Sequence, residues 1–119
     1  MVDTDIPVFV LAVNFYRNDS GTEPVRDWLK SLPKEYRRTI GEDIKTVQYG
    51  WPIGMPVVRK LEKGIWEVRS SLKDGIARVL FTTETGRMIL LHGFLKKTQK
   101  TPNEELDVAR RRLTNLKRG

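Results

Sequence analysis

The stretch that decides the fold is Ile65-Trp66-Glu67-Val68-Arg69-Ser70-Ser71-Leu72-Lys73-Asp74-Gly75-Ile76-Ala77-Arg78-Val79-Leu80-Phe81. Trp66 and Val68 alternate with Glu67 and Arg69, and after the break Ala77, Val79 and Phe81 alternate with Arg78 and Leu80. A period of two is the mark of a strand with one apolar face. Asp74-Gly75 is a strong hairpin-turn signal between two such runs. Ile65 to Ser71 and Gly75 to Phe81 therefore read as antiparallel strands. The same pattern extends outward: Arg87 to Leu95 is a further strand beyond the turn Thr83-Glu84-Thr85-Gly86, and Val57 to Leu61 reads as one more strand upstream.

Further out the period changes. Val8 to Phe15 is β-branched and aromatic and reads as a buried strand, closed by the turn cluster Asn18-Asp19-Ser20-Gly21. Ser20-Gly21-Thr22-Glu23 fits a capping box, with Pro24 in the first turn of a helix that carries Val25, Trp28, Leu29 and Leu32. A second helix opens at Ser31 or Pro33, carries Tyr36, Ile40, Ile44 and Val47 on one face, and ends at Gly50-Trp51-Pro52. Trp28, Tyr49 and Trp51 are expected in the core. Thr101-Pro102-Asn103-Glu104 is a second capping box, and it opens a third helix with Leu106, Ala109, Leu113 and Leu116 on one face. The order is β-α-α-β-β-β-β-α, which predicts an α+β domain over residues 1–119 with the helices on one face of an antiparallel-rich sheet.

The chain has 119 residues and a formal net charge of +7. Residues 1–58 carry seven basic and eight acidic side chains, while residues 59–119 carry fifteen basic and seven acidic. All of the excess lies in the sheet-forming half, which points to a polyanion or an acidic partner. There are no cysteines and one histidine, His92, so disulfides, thiol catalysis and Cys- or His-rich metal sites are excluded. No metal site and no cofactor loop of the phosphate-binding type is expected. No apolar run approaches the length of a membrane span. The acidic start Met1-Val2-Asp3-Thr4-Asp5 is unlike a signal peptide, so a cytoplasmic location is expected.

Strand parity selects a candidate site. Trp66, Val68, Ala77, Val79, Phe81, Ile89 and Leu91 are expected on the apolar face beneath the helices. A loop at Asp74-Gly75 sets Arg78 opposite Ser71, and a loop at Lys73-Asp74 sets Arg69 opposite Arg78. Either keeps both arginines on one face. A three-residue loop ending at Gly86 then pairs Arg78 with His92. Glu67, Arg69, Arg78 and His92 would share one surface. Two arginines this close repel, and a phosphate between them relieves that repulsion. The alternative is a solvated ion pair of Glu67 with either arginine and a half-buried structural His92. Lys96, Lys97 and Lys100 follow the last strand as a basic rim, with Lys73 in the hairpin turn. Arg110-Arg111-Arg112 reads as a solvated end of the third helix.

The run Trp66-Glu67-Val68-Arg69, Asp74-Gly75, Arg78-Val79-Leu80-Phe81, Leu90-Leu91-His92-Gly93-Phe94, Lys96-Lys97-Thr98 and Lys100-Thr101-Pro102 resembles HigB-type toxins, including the phage-derived proteins of the RelE/ParE superfamily. The resemblance spans roughly residues 57–116, and residues 1–56 match only as a strand followed by a helix pair. It implies a RelE-like fold and the toxin of a type II toxin–antitoxin system, an mRNA endoribonuclease that works without metal and is associated with the ribosome. It implies a helix-turn-helix antitoxin of the HigA type as partner, with operator DNA met only through that antitoxin. Arg69 and Arg78 match the basic sheet positions that hold the scissile phosphate, and His92 and Lys97 match further catalytic positions. Lys73, Lys96 and Lys100 would contact RNA. The RelE branch places a tyrosine in its last helix, and no tyrosine stands between Pro102 and Leu116 here.

Metal-free cleavage uses the substrate's 2′-hydroxyl as nucleophile and leaves a 2′,3′-cyclic phosphate and a 5′-hydroxyl. It needs a base, an acid and cations around the phosphorane. His92 is the expected acid or base. Glu67 is the alternative base, weakened by its two arginine neighbours. Arginines do not lose protons at ordinary pH, so Arg69 and Arg78 are expected to clamp charge. The competing expectation is a non-enzymatic ParE-like toxin that binds DNA gyrase.

Overall fold

A computed structural model of the chain describes residues 10–97 and 100–118. The elements are β1 (Ala12–Phe15), α1 (Pro24–Ser31), α2 (Lys34–Gly50), β2 (Val58–Glu62), β3 (Ile65–Leu72), β4 (Gly75–Glu84), β5 (Arg87–Lys96) and α3 (Asn103–Arg118). The predicted order and α+β class hold. The strands form one five-stranded sheet in the order β1-β5-β4-β3-β2. β1 runs parallel to β5, and every other pair is antiparallel.

The first strand is shorter and less buried than its composition suggests. Val8 and Phe9 lie outside the described residues, and Ala12–Phe15 alternate between exposed and half-buried. Its place at the sheet edge explains this, because β5 covers only one of its sides. The capping box expected before α1 does not form. Ser20 Oγ donates to Asn18 Oδ1 (2.6 Å) inside the preceding turn, and α1 starts at Pro24 after Glu23, which makes no side-chain cap. Pro24 at the start of α1 supplies a fixed φ where no N–H is needed.

The expectation that all helices share one face is corrected. Val25, Ile40, Ile44 and Val47 of α1 and α2 pack with Val68, Ala77, Val79, Phe81, Met88 and Leu90 on one side of the sheet. Leu106 and Ala109 of α3 pack with Ile65, Leu80, Ile89, Leu91 and Phe94 on the other. The sheet is thus a middle layer, buried on both sides in β4 and β5. Each apolar side chain fully removed from water there contributes about 1.5–3 kcal/mol. Trp28 and Trp51 pack against the first core, and Trp51 meets Trp66 edge-on at 5.2 Å. Tyr49 is 60% exposed, contrary to its expected place in the core.

Two turns set the register. Leu72 pairs with Gly75, so the first loop is Lys73-Asp74, and Arg69 stands directly opposite Arg78. Gly75 opens β4 at a φ of 155°, a conformation that L side chains rarely adopt. Asp74 instead turns to α2, accepting a hydrogen bond from the Tyr36 hydroxyl (2.6 Å) that holds the tyrosine's pKa above its ordinary value.

The second loop is Thr85-Gly86, between the paired Glu84 and Arg87, with positive φ at both residues (45° and 76°). That is a two-residue hairpin turn matched to the sheet twist, and the expected three-residue loop is corrected. It swaps the faces of Met88 and Leu90 with those of Ile89 and Leu91. A bulge then restores the expected parity for the rest of β5, because Phe81 pairs with Leu90 while Leu80 pairs with His92. Arg78 therefore faces Phe94, and the expected Arg78–His92 pair does not form.

Candidate nucleic-acid interface

Glu67, Arg69 and Arg78 do share a face, as parity required, but that is the face on which α3 packs, and Thr101 lies over Glu67 and Arg78. The Arg69 N–H donates to the Val57 carbonyl (2.9 Å), on the β2 side of the strand. The Arg69–Arg78 pair is therefore of the non-hydrogen-bonded kind, in which facing side chains stand closest. Glu67 is placed to moderate their repulsion. Its Oε1 is 3.7 Å from Arg69 Nε, and its Oε2 accepts a hydrogen bond from the Thr101 hydroxyl (2.5 Å). Arg78 Nη1 in turn donates to Thr101 Oγ1 (3.4 Å). Thr101, which the sequence offered as a helix cap, instead bridges two buried charges.

Arg78 and Glu67 are both 0% exposed. Burial pulls the Arg78 guanidinium below its ordinary pKa; Glu67 opposes this, and the positive charges of Arg69 and Arg59 reinforce it. An arginine stays protonated through such shifts. In this arrangement Arg78 is an interior counter-ion rather than an open clamp, and Glu67 lacks the solvent access a general base for RNA needs. Arg69 keeps an outlet: its side chain is 11% exposed.

The lysines gather at the same end of the sheet as Arg69. Lys73 sits in the β3–β4 turn, and Lys96 pairs with Ile76 two residues into β4. Lys97 Cγ lies 3.6 Å from where a Cβ on Gly75 would stand, which brings its stem against that turn. Lys73, Lys96, Lys97 and Lys100 are all exposed. Thr98, quoted with the lysines, lies outside the described residues. Thr101 fixes the end of this segment to Glu67 and Arg78.

His92 belongs to a different group. Its Nε2 is 2.9 Å from Glu105 Oε1, and its Nδ1 is 3.4 Å from Arg112 Nη1. Arg112 only donates, so Nδ1 accepts and the ring proton on Nε2 points to Glu105; this tautomer follows from the contacts. Arg112 also donates to the Leu91 carbonyl (2.8 Å), at the bulged residue of β5, and lies over the Tyr16 ring at 5.9 Å. Burial pulls its pKa down, with Tyr16 opposing and Arg111 adding to the effect.

The solvated-arginine expectation thus fails for Arg112. Arg110 is exposed and forked onto Glu62 (2.6 Å) with a second contact to Asp107 (2.7 Å). Its hydrogen bonds hold the Glu62 carboxyl below its ordinary pKa. Glu105 and Arg112 sit one turn either side of buried Ala109, a spacing that was present in the sequence and marks the flank of the apolar stripe.

β3 runs past the start of β2 at Arg69 and Ser71, and this leaves an open cleft of about 340 Å³ lined by Thr39, Asp43, Pro56, Val57, Arg69 and Ser71. Thr39 and Asp43 are successive-turn neighbours on α2, and Ser71 is exposed. Parity had placed Ser71 on the face of Arg69, but nothing in the sequence marked Thr39 or Asp43, because the cleft joins α2 to a sheet edge whose length depends on register.

The sequence model for phage-derived Gp49-like proteins matches residues 27–114, well over half of the chain. The chain belongs to the Gp49-like family. This is a family of RelE/HigB-like toxins. The Gp49-like match runs from α1 into α3, so it takes in the helix pair as well as the sheet, and it includes Asp43, Arg69, Arg78, His92, Lys97 and Thr101. No curated protein matches the sequence. Among the described residues, no group of three or more metal-ligating side chains comes together, and no helix is long and apolar enough to cross a membrane.

Proposed function

We propose that the protein is the toxin of a type II toxin–antitoxin pair and that it cleaves mRNA without a metal ion. The observation that supports this best is the convergence of Arg69, which lines an open cleft, with four exposed lysines at the same end of the sheet. A backbone phosphate on Arg69 would place the next phosphates within reach of Lys73, Lys96 and Lys100. The substrate's 2′-hydroxyl then attacks phosphorus and gives its proton to solvent. Arg69 and Lys97 neutralise the charge that builds on the phosphorane, the P–O5′ bond breaks, and the Lys97 ammonium protonates the departing 5′-oxygen. The products are a 2′,3′-cyclic phosphate and a 5′-hydroxyl.

Arg78 and Glu67 act one layer below, holding Arg69 and Thr101. His92 stands two strands from Arg69. Both of its ring nitrogens are engaged by α3, Nε2 by Glu105 and Nδ1 by Arg112, so His92 is assigned to holding α3. The partners on this reading are ribosome-borne mRNA and a HigA-like helix-turn-helix antitoxin, through which alone operator DNA is met.

The test is purified protein added to mRNA in a reconstituted translation system, with and without ribosomes. Rapid loss of mRNA bearing cyclic-phosphate ends, abolished in Arg69→Ala, is the expected result. DNA breaks and an SOS response in cells with mRNA intact would overturn it in favour of a gyrase-binding toxin.

A further inference from the structure

The cleft beside Arg69 has a chemistry that phosphate binding does not explain. Of its six lining residues, Arg69 is a cation, Thr39 and Ser71 carry hydroxyls, Pro56 and Val57 are apolar, and Asp43 is a carboxylate. An anion next to a phosphate site weakens phosphate binding, so phosphate alone gives Asp43 no favourable role there. Thr39 Oγ1 donates to the Glu35 carbonyl (3.2 Å), so its proton is used and its oxygen can serve only as an acceptor. The wall thus offers acceptors from α2, an apolar pair from the segment before β2, and Arg69 on the sheet edge between the two layers. That set suits a nucleoside whose base lies on Pro56 and Val57 and whose phosphate meets Arg69.

We infer that this cleft reads one nucleobase of the RNA, and that Asp43 makes the base guanine. The inference rests on the RNA-cleaving reading for its place beside the scissile phosphate. Single-stranded RNA is read on its exposed base edges. Only guanine presents two adjacent donors, N1–H and the N2 amino group, which one carboxylate accepts together. Adenine and cytosine set a ring-nitrogen acceptor beside their amino group, and uracil flanks its single N–H with two carbonyls. Each of those would face the Asp43 carboxylate with a lone pair. A bidentate contact of this kind is a discriminating one, and an unmatched buried acceptor is what rejects the wrong base.

The experiment is a titration of isotope-labelled protein with four 2′-O-methylated trinucleotides that differ only in the central base and cannot be cleaved. The guanine trinucleotide is expected to shift the amide signals of Thr39, Asp43, Val57 and Ser71, and to bind at least about tenfold tighter than the other three. Replacing guanine with hypoxanthine, which lacks the N2 amino group, removes most of that margin. Asp43→Asn brings all four within about twofold, weakening the guanine ligand while tightening the others as the repulsion of their phosphates disappears.

Equal binding of the four ligands, no binding, signals shifted elsewhere, or a guanine margin that survives Asp43→Asn would each overturn the assignment. Cleavage of unmodified mRNA separates the two claims. Wild-type protein that prefers guanine but leaves mRNA intact sinks the nuclease, whereas protein that cuts mRNA without a guanine at the cut site sinks the guanine-reading cleft.

Discussion

Arg69 and Arg78 are directly paired across β3 and β4, yet one reaches the surface and the other does not. Their different fates follow from what lies above each. Arg78 sits on a central strand beneath Thr101, with Glu67 as counter-ion on the neighbouring strand, and Arg69 lies where β2 has ended and the sheet edge opens.

That difference yields opposite mutational outcomes. Arg78→Ala strips Glu67 of a buried counter-ion and should cost about 3 kcal/mol or more of folding free energy, read as a lower urea midpoint. Lost toxicity in that variant reports the fold. Arg69→Ala also takes a partner from Glu67, but Arg78 and Thr101 remain beside that carboxylate, so it should cost less folding free energy than Arg78→Ala while RNA cleavage falls at least about a hundredfold, the scale of losing one preorganised charge at a transition state. A stable Arg78→Ala protein would show that α3 does not seal this pair.

The placement of these arginines was only half legible in the sequence. Parity put Glu67, Arg69 and Arg78 on one face, because any even hairpin loop preserves it. Whether that face was open depended on where α3 went, and the apolar stripe of Leu106, Ala109, Leu113 and Leu116 is equally consistent with either side of the sheet. His92 shows the other limit. The Thr85-Gly86 turn shifted β5 by one residue and the bulge beside Leu80 shifted it by another. Parity returned while the neighbour changed from Arg78 to Leu80, and no periodicity records a bulge. The cleft was illegible for a related reason: it forms where one strand outlasts another.

His92 provides the sharpest check on the revised site. His92→Gln keeps an amide donor for Glu105, and its RNA cleavage is expected within about threefold of wild type. His92→Ala should lose about 1–2 kcal/mol of stability as Glu105 and Arg112 lose their shared partner. A folded His92→Gln protein slowed a hundredfold or more, the usual scale of a lost proton-transfer group, would return His92 to the chemistry.

The exposed lysines should differ from Arg69 in how they fail. Each phosphate contact to single-stranded RNA contributes about 0.7 to the slope of log affinity against log salt. Lys73→Ala, Lys96→Ala and Lys100→Ala should each flatten that slope by about this amount, with little change in the cleavage rate at saturating RNA. Lys97→Ala should flatten the slope and also lower the rate, because its ammonium is assigned to the leaving oxygen. Binding isotherms at several salt concentrations, with single-turnover rates alongside, check both parts.

Gly93 tests the opposite layer of the molecule. A Cβ at this position would stand 2.4 Å from Cε3 and Cζ3 of Trp28, so the indole of α1 lies flush against the β5 backbone. The Trp28 ring is rigid and already packed against the first core, so it has little room to retreat. Gly93→Ala should therefore destabilise by about 1–3 kcal/mol, the usual cost of overpacking. Trp28→Leu removes the obstructing ring at its own cost in lost packing. If the contact is the cause, the two losses are strongly non-additive, and the double variant is more stable than their sum requires. Thermal or urea unfolding of the four proteins in the cycle decides it, and simple additivity would mean that Gly93 is needed for a reason other than Trp28.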